Sequence, residues 1–274
     1  MSQVPLLAPP PTVPSAALTP EGANNSDWQG TQDRLIKGHS YKDCGVIAIV
    51  PTRSGLLDHR FVSAWEGLIK APNHPFCRFT IANMEVGDAY NRAIYSIITN
   101  PQLMAWNSGK GPIILTVEDD QIVSPDSLMK LLGTFHSTPY AAVSGLYFTK
   151  GGGGSADTPI GGCAQIWGAV TDFPPNYAPQ IPRAGEVQEC RGIGMGFALW
   201  DIAQFLDPRT QQGKNPDGTP IWFKTWNEVD QNGVGRVGTQ DLSYCDLAQK
   251  AGYRFAVDTN VRIGHLDRTS GWIF

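Results

Sequence analysis

At 274 residues, 41% of them hydrophobic, and with a net charge of −4, the chain suits one large α/β domain or two small ones and shows no overall electrostatic footprint for nucleic acid. No run is long and apolar enough to span a bilayer, and the N-terminus lacks a basic region followed by a hydrophobic one. Five cysteines, odd in number and without a Cys-x-x-Cys pair, point to reduced, mostly buried thiols, so a soluble protein in the cytoplasm is expected.

Residues 1–42 are rich in Pro, Ala, Ser, Thr and Asn without sustained periodicity, and read as a flexible N-terminal arm ahead of a folded domain over 43–274. That domain opens on Gly45-Val46-Ile47-Ala48-Ile49-Val50, a run suited to a strand buried on both faces. The polar Pro51-Thr52-Arg53-Ser54-Gly55 exit comes next, and then a helix with Phe61, Trp65, Leu68 and Ile69 on one face. A third segment, Phe79-Thr80-Ile81-Ala82, leads into Asn83-Met84-Glu85. Asp88 is the expected cap of the next helix, whose apolar stripe is Tyr90, Ala93, Ile94, Ile97 and Ile98. Arg92 lies in the first turn of that helix, the end where the dipole disfavours a cation, which suggests recruitment for a carboxylate or a diphosphate.

Ile113-Ile114-Leu115-Thr116-Val117 is the second run that reads as a strand covered on both faces, and Glu118, Asp119 and Asp120 follow at once. Three carboxylates this close repel unless a cation neutralises them, and carboxylates joined by substrate phosphates are the usual way to hold Mg²⁺ or Mn²⁺. An extended backbone would point Glu118 and Asp120 to one side and Asp119 to the other. Ser124 is the expected cap of a helix buried through Leu128, Leu131, Leu132 and Phe135. The acids therefore stand at the carboxyl end of a central strand, where open α/β sheets hold ligands.

Ala141-Ala142-Val143-Ser144-Gly145-Leu146-Tyr147-Phe148 reads as a further strand, followed by the glycine-rich 150–155 and an irregular region to about Arg183. Gly192, Gly194 and Gly196 precede a strand-like run instead of opening a helix. That is the wrong context for a dinucleotide fingerprint, and close approach of backbone to a ligand is expected instead. Residues 207–220 are polar and turn-rich, and either they or 150–155 are expected to order over the bound ligand as a lid. Thr239 is the expected cap of a helix that buries Leu242, Cys245 and Ala248 and ends at Gly252; a last strand, Tyr253-Arg254-Phe255-Ala256-Val257, leads to Gly264 and His265.

From about Gly45 to Asp267 this order of parts resembles the GT-A glycosyltransferases, above all the glycosyltransferase family 2-like group. Four stretches carry the resemblance: Val46 with its Pro51-Thr52-Arg53 exit, Asp88-Ala89-Tyr90-Asn91-Arg92-Ala93, Val117-Glu118-Asp119-Asp120 with Pro125-Asp126, and Gly238-Thr239-Gln240-Asp241-Leu242 followed by Gly264-His265. It departs from the family pattern in Glu118 at the first DxD position and in Gln240 before Asp241. The resemblance implies a Rossmann-like, mixed but mostly parallel sheet flanked by helices, with long active-site loops. It also implies a UDP- or GDP-sugar donor held by Pro51, Thr52, Arg53, Asn83, Arg92 and Asp119, with Glu85 a further candidate for reading the base. Glu118, Asp120 and His265 would be metal ligands, for Mn²⁺ or Mg²⁺, with an imidazole favouring Mn²⁺. Asp241 would be the general base of an inverting transfer. The acceptor stays open among saccharide, protein, lipid and modified nucleic acid. Two other readings are a nucleotidyltransferase on a similar sheet and a catalytically silent sugar- or nucleotide-binding module.

Overall fold

The computed structural model describes residues 43–149, 162–172, 175–229 and 235–274. The N-terminal arm and the glycine-rich 150–155 lie outside them. Seven strands form the central sheet: β1 (Val46–Thr52), β2 (Phe76–Ala82), β3 (Ile113–Val117), β4 (Ala142–Leu146), β5 (Val187–Cys190), β6 (Phe197–Trp200) and β7 (Phe255–Arg262). They run in the order β5-β7-β4-β6-β3-β1-β2. β1 is parallel to β2 and β3, and β7 is parallel to β4; β6 runs antiparallel between β3 and β4, and β5 runs antiparallel at the edge. The fold is thus a mixed, mostly parallel, Rossmann-like α/β sheet flanked by helices.

β1 and β3 are buried along their whole length, and β1 shows why. Ile47 and Ile49 pack into the layer that holds Tyr90, Ile94 and Trp200, while Val46, Ala48 and Val50 pack into the layer of Phe61, Leu128 and Leu132. Alternate side chains point to opposite faces, so a strand covered by helices on both sides must be apolar at nearly every position; Thr116 of β3 is the buried polar exception, its hydroxyl accepting from the Trp200 indole at 3.0 Å. Each valine or isoleucine of the two strands contributes about 1.5–3 kcal/mol by leaving water. The first layer is capped by α2 (Val86–Ile98) and α4 (Gln240–Lys250), and the second by α1 (His59–Glu66) and α3 (Ser127–Ser137). All five cysteines are free thiols. Among the described residues no helix is long and apolar enough to cross a membrane.

Two helix starts differ from the sequence expectation, and a third stands where expected. α2 begins at Val86, and Glu85, not Asp88, is its cap, its carboxylate accepting from the Asp88 N–H at 3.0 Å. α3 begins at Ser127, because Ser124, Pro125 and Asp126 are spent on a turn in which the Ser127 hydroxyl accepts from the Ser124 N–H at 3.1 Å. Thr239 does precede α4, but without a side-chain cap bond to the helix.

Residues 207–220 fold as a 3-10 turn at Pro208–Thr210 and a short hairpin pairing Gly213–Lys214 with Pro220–Ile221. The chain just beyond it is fastened to α2 by the buried Asn91, whose amide oxygen accepts from the Trp222 and Phe223 N–H groups and whose amide nitrogen donates to the Phe223 carbonyl. The staple fixes Trp222 and Phe223, at the foot of 207–220, to α2. Asn91→Leu is expected to lower stability by about 1–3 kcal/mol for each backbone group left unpaired. A chemical-denaturation midpoint equal to the wild type's would show the staple to be replaceable.

Candidate active site

The polar exits of β1 and β3 leave the sheet at the same edge, because the strands are parallel neighbours with Ile49 opposite Thr116. Thr52 ends β1; it is buried and its hydroxyl has no partner. Pro51 is buried beside it, Arg53 is exposed, and Asn83 is exposed with a φ of 59°. That left-handed conformation suits Asn and explains it as a turn residue, its N–H reaching the Thr52 carbonyl at 3.2 Å. Glu85 is held as the α2 cap and also accepts from Thr225 at 3.2 Å.

Beyond β3 the chain turns sharply, with the Gln121 N–H donating to the Glu118 carbonyl at 3.1 Å, so the three acids lie on a tight turn and not on an extended strand. Asp119 goes to Arg268, which donates to its carboxylate at 2.6 Å and its carbonyl at 3.0 Å. Asp120 faces His265, with 3.5 Å between Oδ2 and Nε2, and accepts from Gln121 at 3.2 Å. The partner of Asp120 is set by backbone pairing: Gly264 and His265 run antiparallel to Ile122 and Gln121, and the Leu266 N–H donates to the Asp120 carbonyl at 2.8 Å.

Asp241 enters from the first turn of α4, its carboxylate accepting from the Leu242 N–H at 2.9 Å. Burial raises its pKa, opposed by the hydrogen bonds from Thr239 and the Leu242 N–H. The helix-start hydrogen bonds therefore moderate the effect of burial and do not cancel it.

Two tyrosines, expected from sequence only as core and strand residues, complete the arrangement. Tyr90 of α2 is fully buried with no partner for its hydroxyl. Tyr147, just past β4, is also buried. Burial first, and then Glu118 ahead of the other carboxylates, drives both phenols well above their usual range, so Glu118, Asp120 and Asp241 share one neighbourhood with the two rings. The signal was there in principle: a tyrosine on an otherwise aliphatic stripe carries a hydroxyl that burial obliges the fold to use.

Burial, and then Asp120, Asp241 and Asp119, push the Glu118 carboxyl from its ordinary 4.5 up to about 8. The folded state then keeps a proton that the unfolded chain has already lost, so stability falls as pH rises from about 4.5 to about 8. Glu118→Gln is expected to flatten that decline and to raise the melting temperature most near pH 8. Melting curves across this window check it; an unchanged slope would assign the decline to another group.

The fit to a divalent cation is partial. Among the described residues no three His, Cys, Asp or Glu side chains converge closely enough to hold a metal on their own. Asp120 and His265 do approach each other, and the buried Nδ1 of His265 and Oδ2 of Asp119 have no partner. A site with two protein ligands, completed by substrate phosphates, suits this donor set better than the three-ligand site expected with Glu118.

Arg92 is exposed and lines an open depression of about 550 Å³ with Asp88, Tyr95, Asn215, Asp217 and Thr219. Glu118, Asp120, Asp241 and His265 do not line it.

Gly194 and Gly196 are not shaped for a ligand. A Cβ on Gly194 would collide with the Tyr147 hydroxyl, and one on Gly196 would stand 2.7 Å from the Tyr147 ring and 2.8 Å from the Gln121 amide. The close approach expected at these glycines is real, but the neighbours are the protein's own side chains.

No protein-family model matches the chain, and no curated protein matches it. Among solved structures, the crystal structure of A197 from STIV is similar over 84% of this chain and 93% of that one, with a TM-score of 0.47 and 10% identity. A likeness this weak adds nothing about chemistry.

Proposed function

We propose that the protein is a metal-dependent, inverting glycosyltransferase that moves a sugar from a nucleotide-diphosphate sugar to an acceptor hydroxyl. The observation that carries this reading is the gathering of Glu118, the Asp120–His265 pair and Asp241 beside the carboxyl end of β3. Donor recognition falls to Pro51, Thr52, Arg53, Asn83 and Asp119 near that edge, with Arg92 further along α2; Arg268 fixes Asp119. Asp120 and His265 would hold a Mn²⁺ or Mg²⁺ ion, with Glu118 acting through water. That ion supplies charge neutralisation for the departing diphosphate. Asp241 accepts the proton of the acceptor hydroxyl; a carboxylate whose pKa burial has raised is a better base near neutral pH than a solvated one.

A panel of UDP- and GDP-sugars incubated with Mn²⁺ tests the reading, with water as surrogate acceptor. Release of nucleoside diphosphate and free sugar is the expected result. Sugar 1-phosphate and nucleoside triphosphate, formed only when pyrophosphate is added, would instead identify a nucleotidyltransferase, and binding without turnover a silent module.

A further inference from the structure

We propose that Tyr147 is a positioning residue that holds the His265 imidazole against Asp120, and that Gly194 and Gly196 are glycines because they seat it. The metal arm of this inference rests on the function proposed above; the structural arm does not.

The main chain of His265 is fixed on both sides, by its pairing with Gln121 and by reciprocal hydrogen bonds with Phe274 at 3.0 Å. Those bonds set the Cα and leave the ring free to turn. A histidine that works through one ring nitrogen is ordinarily oriented by a hydrogen bond at the other. Here the other nitrogen, Nδ1, is buried without a partner. What the ring does have is a flat surface to lie on: the Tyr147 ring stacks on it with centroids 6.1 Å apart and planes 26° apart.

Tyr147 is itself held at its far end, its hydroxyl oxygen accepting from the Gly196 N–H at 3.1 Å. The Gly196 carbonyl accepts from the Glu118 N–H at 3.0 Å, and its bare Cα leaves room for Gln121, which donates to Asp120. One glycine thus supports both members of the Asp120–His265 pair, the imidazole through Tyr147 and the carboxylate through Gln121.

The test uses the full chain without ligand and follows the histidine ring signals by ¹H–¹³C NMR, with His265 assigned by its loss in His265→Gln. Tyr147→Phe keeps the stacking face, so the His265 signal should stay at its ring-current-shifted position. Tyr147→Leu removes that face, so the signal should move towards the value of an unstacked histidine while the other histidines stay put. Mn²⁺ affinity should fall by about 10–100-fold in Tyr147→Leu, the usual effect of losing a supporting group, and remain close to wild type in Tyr147→Phe. Should Tyr147→Leu not fold, Gly194→Ala displaces the Tyr147 hydroxyl and is expected to shift the same signal and weaken Mn²⁺ binding.

A His265 signal that stays in place in the folded Leu variant, or in Gly194→Ala, overturns the inference. So does unchanged Mn²⁺ affinity in a variant whose signal has moved. Absence of Mn²⁺ binding by the wild type would instead count against the metal reading, leaving the NMR comparison to decide the role of Tyr147.

Discussion

Asp120→Asn is expected to abolish Mn²⁺-dependent binding of the donor and to leave the fold intact. The carboxylate stands 3.5 Å from the His265 ring and its other oxygen accepts from Gln121. Asparagine keeps an oxygen for the Gln121 amide, and the backbone carbonyl that accepts from Leu266 is untouched, so only the His265 ring loses its carboxylate neighbour. What disappears is the negative charge. Supporting residues around metal ligands are worth about 10–100-fold in affinity, and loss of a ligating carboxylate should exceed that. Calorimetric titration of UDP-sugars with and without Mn²⁺, beside a melting curve, checks both halves. A variant that binds donor as tightly as the wild type in Mn²⁺ would remove Asp120 from the site.

The frame of this molecule could be read from the chain because its central strands obey one simple constraint. A strand covered on both faces must be apolar at nearly every position, so β1 and β3 announce themselves, as do the helices whose stripes recur every three or four residues. The placement of Glu118, Asp119 and Asp120 at the end of β3 follows from the same pattern. Helix starts were less legible, because several residues competed for each cap. Glu85 and Asp88 both suit the start of α2, and only the three-dimensional path of the chain chooses Glu85.

Pairings across long separations were invisible for a different reason. Arg268 and Asp119 are 149 residues apart, and Asn91 and Trp222 are 131 apart; no local pattern connects them. The glycines at 194 and 196 show the limit most clearly. Their sequence says that a Cβ cannot be tolerated, but not whether a ligand or a neighbouring tyrosine occupies the space.

Asp241→Asn should lower turnover by about 10²–10⁴-fold, the usual worth of a positioned general base, with donor affinity nearly unchanged. The side chain sits in the first turn of α4 and accepts from the Leu242 N–H at 2.9 Å. Asparagine can keep that bond through its amide oxygen, so the helix start should survive. It has no basic oxygen that can take a proton at neutral pH, so the hydroxyl of the acceptor would have to lose its proton to water. Removing a carboxylate also relieves the repulsion that Glu118 feels from Asp241, so the melting temperature should not fall and Glu118 should ionise more readily. The variant therefore separates chemistry from architecture: turnover drops while stability and donor affinity hold. Transfer rate and UDP-sugar affinity measured on the same preparation give the answer. Near-normal transfer would reduce Asp241 to a helix-start residue and send the search for the base to Glu118, the carboxylate whose charge acts most strongly on the Tyr90 and Tyr147 phenols.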